Sequence, residues 1–223
     1  MSDSNVGARK NQNIRNHLFI LYAVINSVLK TKDKCIDIQI YDLVKAFDNL
    51  WLEDSMIDLV DSTEESNQND KLALVYKASE ANLIAVKTPM GLTERVNMPL
   101  ITLQGGTWGP MGCSNSIDKI GKESEKNSSM CYYYKGIAKI LPMAMVDDLL
   151  SVSDCGTQSL VINSFINTKI EMKKLTFHTQ NKEGMSKCQK MHIGNPNSNC
   201  PVLSWKRNNN CHTTSLFRGY SVK

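Results

Sequence analysis

The chain has 223 residues, 41% hydrophobic and 22% charged, with Gly and Pro sparse at 12 and 6. That composition supplies enough apolar sequence for one sizeable core or two small ones, and it excludes disorder, a collagen-like repeat and a disulfide-stapled mini-protein. The net charge of +4 conceals an acidic middle between basic ends: residues 1–34 carry six basic and two acidic groups, 35–70 one and ten, 71–154 nine and eight, and 155–223 ten and two. Such a pattern suits a protein that holds a polyanion while concentrating divalent cations at one place, and solvated helix faces would produce the same sums.

In chain order, residues 12–30 read as a helix, because Ile14, Leu18, Leu21, Ile25, Val28 and Leu29 recur at three- and four-residue spacings. Lys34 to Tyr41 alternates, with Ile36, Ile38 and Ile40 on one face, and reads as a strand that delivers Asp42 at its end. A short helix over Leu52 to Val60, a polar loop over Ser62 to Asp70 and a helix over Leu72 to Ala78 are expected next. Leu83 to Val96 reads as a hairpin around Thr-Pro-Met-Gly. The loop Gln104 to Pro110 then leads into a helix from Pro110 to about Lys122. The apolar runs Leu141 to Val146 and Leu149 to Val152 are separated only by Asp147 and Asp148, so both aspartates are expected at a hairpin tip. Thr157 to Leu175 reads as a long helix and Cys188 to Ile193 as a final strand. No internal repeat or low-complexity linker interrupts this order. It predicts a single α+β unit, an antiparallel sheet backed by helices on one face.

The longest apolar run, Leu18 to Ile25, is eight residues, less than half a bilayer crossing, and the first residues lack a secretory layout. An intracellular protein with no membrane partner is the expectation, cytoplasm and nucleus being equally open. Seven cysteines at irregular spacings, with no Cys-x-x-Cys pair, read as reduced thiols. The string Cys188, His192, Cys200, Cys211, His212 matches no common zinc spacing.

The chemistry concentrates in carboxylates. Asp147 and Asp148 lie between Met-Ala-Met-Val and Leu-Leu-Ser-Val, so two mutually repelling charges are held between strands that are otherwise apolar. A Mg²⁺ ion would offset that repulsion, since it favours carboxylate oxygens and completes its shell with substrate phosphates. An exposed acidic turn without a ligand is the plainer alternative. Asp42, ending a second apolar strand, supplies the third carboxylate that a two-metal phosphoryl-transfer site needs.

These residues carry a family resemblance. Tyr41-Asp42-Leu43-Val44-Lys45-Ala46-Phe47-Asp48 resembles motif A of the reverse transcriptases of non-LTR retrotransposons and group II introns, where D-x-x-K-A-F-D is frequent. Gln104-Gly105-Gly106-Thr107-Trp108-Gly109-Pro110 resembles motif B, and Met145-Val146-Asp147-Asp148 resembles motif C. The motifs stand in order, with 62 residues from Asp42 to Gln104 and 43 from there to Asp147. Gly7 to Asn13 is a looser match to a fingers segment. Gly184 to Lys187 stands where motif D carries a lysine.

The resemblance covers roughly residues 7–194. It implies a partial fingers segment over 1–34, a polymerase palm over 35–194 and a C-terminal extension of unassigned structure over 195–223. It further implies an RNA-directed DNA polymerase with two Mg²⁺ ions, Mn²⁺ substituting, that uses an RNA template, a DNA primer and dNTPs. Asp42, Asp147 and Asp148 would be the metal-binding and catalytic triad, Asp148 the weaker ligand. Phe47 would lie under the sugar of the incoming nucleotide, where a 2′-hydroxyl clashes, or would be a core phenylalanine. Gln104 and Gly105 would line the nucleotide pocket. Arg9, Lys10 and Lys187 would approach the triphosphate, a solvated basic terminus being the alternative for Arg9 and Lys10.

Two departures are chemically mild: Gly109 replaces the usual motif B serine, and Val146 stands where alanine is common. Extent is the larger one: within this sequence the first finger strands and a thumb are expected to be lacking, and no endonuclease or RNase H signature is visible. Two other readings therefore accompany the first. An RNA-templated RNA polymerase would show Gly-Asp-Asp and a small polar gate in place of Phe47. A truncated or decayed remnant would bind nucleic acid without catalysis.

Overall fold

The computed structural model describes residues 5–6, 13–51, 54–55, 57–58, 83–97, 108–178 and 187–194. Its centre is a four-stranded antiparallel sheet of order β10-β1-β9-β8, formed by β1 (Cys35–Tyr41), β8 (Met143–Met145), β9 (Asp148–Asp154) and β10 (Gln189–Gly194). Around it lie the helices α1 (Ile14–Leu29), the single turn α2 (Ala46–Asn49), α3 (Trp108–Lys126) and α4 (Thr157–Met172). Short two-stranded ribbons complete the described fold: β2 (Leu83–Ile84) with β5 (Val96–Asn97), β3 (Lys87–Thr88) with β4 (Gly91–Leu92), and β6 (Tyr132–Tyr134) with β7 (Ala138–Ile140).

Asn13 caps α1, its side-chain oxygen accepting from the Arg15 N–H at 3.0 Å. The helix lays Val24 and Val28, with Leu21 and Ile25, onto the sheet face that carries Ile36, Ile38, Val152 and Ile193. The predicted stripe is rotated: Ile14, Leu18 and Leu29 are exposed, so the buried face is the 21-24-25-28 set. The opposite sheet face holds Tyr41, Leu149 and Ala144 against Ile117 and Ile120 of α3 and Ile162, Ile166 and Ile170 of α4. Helices therefore cover both faces rather than one. This is why all of β1 except its first residue and Ile40 is buried.

Burial of the second face is concealed in the sequence because its β1 residues are polar. Asp37, Gln39 and Tyr41 are satisfied internally rather than by water. Lys190 Nζ reaches Asp37 Oδ2 at 2.8 Å and Ser159 Oγ at 3.3 Å. Gln39 Nε2 donates to Ser159 Oγ at 2.8 Å, and the Tyr41 hydroxyl donates to Gln39 Oε1.

Other expectations shift in detail. The hairpin at 83–96 is present as nested ribbons, turning at Pro89 and Met90. Residues 54–55 and 57–58 are helical, within the helix expected over Leu52 to Val60. α3 begins at Trp108, not Pro110, since proline is tolerated anywhere in a first turn that has no intrahelical N–H partner to lose, and it runs on to Lys126. The β6–β7 ribbon lies outside the predicted elements, although Tyr132-Tyr133-Tyr134-Lys135-Gly136 is an aromatic strand run ending in residues at positive φ. The polar loop at 62–70, the helix at 72–78, most of the Gln104–Pro110 loop and the extension 195–223 lie outside the described residues.

Candidate active site

Strand register brings the three aspartates to one end of the sheet. Tyr41 pairs with Leu149, so Asp42 follows directly beside Asp148, and Met145 pairs with Asp148. The hairpin turn is therefore Val146–Asp147. Asp148 is the first residue of β9 and not half of the tip, a correction to the expected geometry. Pairing Met145 with Asp148 sets Leu149 opposite Ala144, and both face the α3–α4 core. Positive φ at Val146 alone (63°) is the pattern of a type II′ turn, normally a glycine position. Val146 is held there because its side chain packs against the core cluster.

The segment after α4 fixes Asp42. Leu43 bridges Phe177, the Val44 N–H donates to the Thr176 carbonyl at 2.9 Å, and the His178 N–H donates to the Asp42 carbonyl at 2.9 Å. The Asp42 N–H also faces Cys188 Sγ at 3.4 Å. The side chain is thereby aimed so that Oδ2 is buried and accepts no hydrogen bond among the described residues. His178 Nε2 and Lys187 Nζ each stand 3.4 Å from it, at ion-pair range but outside hydrogen-bond geometry. Lys187 thus lies beside the first aspartate.

Electrostatics agree with a cation-shaped demand. Burial pushes the Asp147 carboxyl above its ordinary range, repulsion from Asp42 adds to that, and its own backbone N–H and Lys187 oppose it. Burial raises Asp148 too, followed by repulsion from Asp147 and Asp42, with Lys187 again opposing. Behind the turn, burial and then the Asp147 charge push the Cys113 thiol up to about 12, so it stays protonated. The three carboxylates are close enough to perturb one another yet do not cluster tightly. The one trio of metal-ligating side chains among the described residues whose donor atoms lie within 4.8 Å of one another is elsewhere, at Cys35, Cys155 and His192. Like charges that no shared ion bridges are expected to diverge. A buried acidic oxygen that accepts no hydrogen bond, two carboxyls with raised proton affinity and an all-oxygen donor set fit a hard divalent cation.

Phe47, one residue into α2, is half-buried and packs against the core cluster of Tyr41, Leu43 and Leu50, so it is at least a core residue. Arg9, Lys10, Gln104 and Gly105 lie outside the described residues. His178, Cys113 and Cys188 are neighbours of the site that sequence reasoning does not find. Each is remote from the aspartates along the chain and lies in no motif that marks it.

No protein-family model matches this sequence, and no curated protein is detectably similar to it. Among solved structures, the fold is similar to apo telomerase from Candida tropicalis truncated from its C-terminal domain, with a TM-score of 0.60 and 14% identity over 88% of this chain and 37% of that one. It is likewise similar to Candida tropicalis telomerase in complex with the TWJ fragment of telomeric RNA, with a TM-score of 0.57 and 11% identity over 82% of this chain and 32% of that one. The chain spans about a third of the length of these neighbours. Among the described residues no helix is long and apolar enough to cross a membrane. The architecture, mixed helices with an antiparallel sheet, is thus similar to that of these telomerase structures.

Proposed function

We propose that the chain is the palm, with part of the fingers, of an RNA-directed DNA polymerase that extends a DNA primer on an RNA template using dNTPs. The observation that carries this reading is the register that sets Asp42 beside Asp147 and Asp148, with Asp42 Oδ2 buried and accepting no hydrogen bond. The telomerase-like fold supports a nucleic-acid partner, one neighbour being a complex with telomeric RNA. Origin in a non-LTR retroelement rests on the D-x-x-K-A-F-D string, and the domain limits 1–34, 35–194 and 195–223 rest on the same resemblance.

Asp42, Asp147 and Asp148 would hold two Mg²⁺ ions, or Mn²⁺ in their place. When bound, such ions lower the cost of ionising the primer 3′-hydroxyl and offset charge on the departing pyrophosphate. The protein's own residues do the positioning. The short Val146–Asp147 turn holds two carboxylates on a rigid hairpin, and the 176–178 segment anchors the third from the neighbouring strand. Lys187, exposed beside Asp42, offers a cation to an arriving triphosphate. The protonated Cys113 thiol forms an uncharged wall behind Asp147, so no further anion competes there. Phe47, following Asp42 by five residues, would meet the nucleotide sugar and disfavour a 2′-hydroxyl.

Primer extension by the chain fused to a thumb segment from a related polymerase tests the reading. Asp42→Asn and Asp147→Asn should each remove nearly all extension, at least 100-fold, while RNA binding changes little. Full activity in either variant would refute the assignment. RNA binding without extension by the wild-type fusion as well as by the variants would instead favour the noncatalytic remnant.

A further inference from the structure

We propose that Cys35, Cys155 and His192 form a binding site for a zinc-class divalent ion, separate from the aspartate cluster. Their donor atoms all lie within 4.8 Å of one another, and all three side chains are partly exposed, so an ion can reach them. The sheet explains the convergence. Cys35 pairs with Gly194 and Asp37 with His192 on one side of β1, while Ile36 pairs with Asp154 on the other, which brings Cys155 alongside Cys35. Cys35 and Asp37 are two apart on β1 and share a face, and His192 sits on that face opposite Asp37. A strand start, a strand-to-helix turn and a strand end thus meet at one point.

The Cys155–His192 spacing, a weak sulfur hydrogen bond in the metal-free protein, is also the spacing of two ligands on a tetrahedral metal. Zn–S near 2.3 Å and Zn–N near 2.0 Å at a tetrahedral angle give an S···N edge of about 3.5 Å. Cys155 Sγ lies 3.6 Å from His192 Nδ1. The same nitrogen is 3.0 Å from Asp37 Oδ1, a hydrogen bond that orients the imidazole and that metal binding through this nitrogen would replace; solvent water would take the fourth position. Lys190 Nζ, 2.8 Å from Asp37 Oδ2, holds that carboxylate in place.

Thiolate and imidazole donors select zinc-class ions over Mg²⁺. Binding releases the two thiol protons to solvent. Cys35 and Asp42 bracket β1, about 23 Å apart at the rise of an extended strand, so the two sites would take different ions independently. None of this is visible along the chain, where the ligands stand 120 and 37 residues apart. The sequence string that grouped His192 with Cys188 does not form this site, because Cys188 faces Asp42 instead.

The test is titration of the metal-free 223-residue protein with Co²⁺, followed by displacement with Zn²⁺. Co²⁺ should develop a thiolate-to-cobalt charge-transfer band with the intensity of one site per chain, whatever binds at the aspartates, and Zn²⁺ should remove the band and raise the melting temperature. Cys35→Ser and Cys155→Ser should each weaken Zn²⁺ binding about 100-fold or more, and His192→Gln at least 10-fold. Cys200→Ser and Cys211→Ser should leave binding unchanged. Circular dichroism of each variant in chelator establishes that it is folded, and the wild-type titration needs no variant. The absence of a thiolate band, a band that survives the double Cys35→Ser, Cys155→Ser variant, or a Cys35–Cys155 disulfide in the isolated protein would overturn the proposal.

Discussion

Val146 offers a test of the hairpin that carries two of the aspartates. It sits first in a two-residue turn at φ +63°, half-buried against the core cluster. A left-handed conformation costs an L-residue roughly 1–2 kcal/mol, and β-branching worsens it. Val146→Ala keeps that strain and removes two partly buried methyl groups, which at about 0.8 kcal/mol per fully buried carbon is a loss of about 1 kcal/mol. Val146→Gly loses the same contacts and gains unfolded-chain entropy worth roughly 0.5–1 kcal/mol, but it releases the strain. The balance puts glycine level with alanine or above it by as much as about 1 kcal/mol, inverting the usual order in which alanine leads by that amount. Urea unfolding of the two variants at matched slopes measures the difference. An alanine variant more stable than the glycine variant by about 0.5 kcal/mol or more would mean that the turn is not strained as described.

Two further predictions concern charge. Asp147 and Asp148 bind protons more tightly folded than unfolded, so stability falls as pH rises through the raised values. Asp147→Asn and Asp148→Asn should therefore melt higher than wild type at neutral pH in chelator, and the gain should vanish below pH of about 4; equal melting temperatures across that range would count against the mutual repulsion. Asp58, almost fully buried, pairs with Lys119 at 2.6 Å and with Lys173, so it ties α3 to the end of α4. Asp58→Asn should cost roughly 2–3 kcal/mol in urea unfolding, less than a fully buried pair because both lysines reach solvent, and a loss under about 1 kcal/mol would mark the bridge as incidental.

The identity and order of the main elements are legible in local pattern. Period 3.6 marks α1 and α4, alternation marks β1, and the apolar runs flanking Asp147 mark β8 and β9. The aspartates stand out for the same reason, since a charge inside an apolar run conflicts with local burial and conflicts of that kind gather at functional sites. The one-residue error in the hairpin tip has the same origin. Apolar runs bound a turn, but they do not say which residue accepts positive φ, and Val146 does so against its own preference because the core holds it.

What the sequence determined by itself was a set of periods, a charge distribution and three acidic residues at the ends of apolar runs, because these depend only on neighbours along the chain. Tertiary structure decided the rest. The polar face of β1 is interior because Lys190, Ser159 and Ser151 arrive from distant segments to satisfy Asp37, Gln39 and Tyr41. Two of the ten acidic groups in the 35–70 segment, Asp37 and Asp58, are neutralised by lysines more than 60 residues away, whereas Asp42 faces Lys187 and His178 only at ion-pair range, without a hydrogen bond to Oδ2. His178, Cys113, Cys188 and the Cys35, Cys155 and His192 trio acquire their surroundings only when strands pair, because antiparallel register juxtaposes residues whose separation along the chain carries no periodic signal.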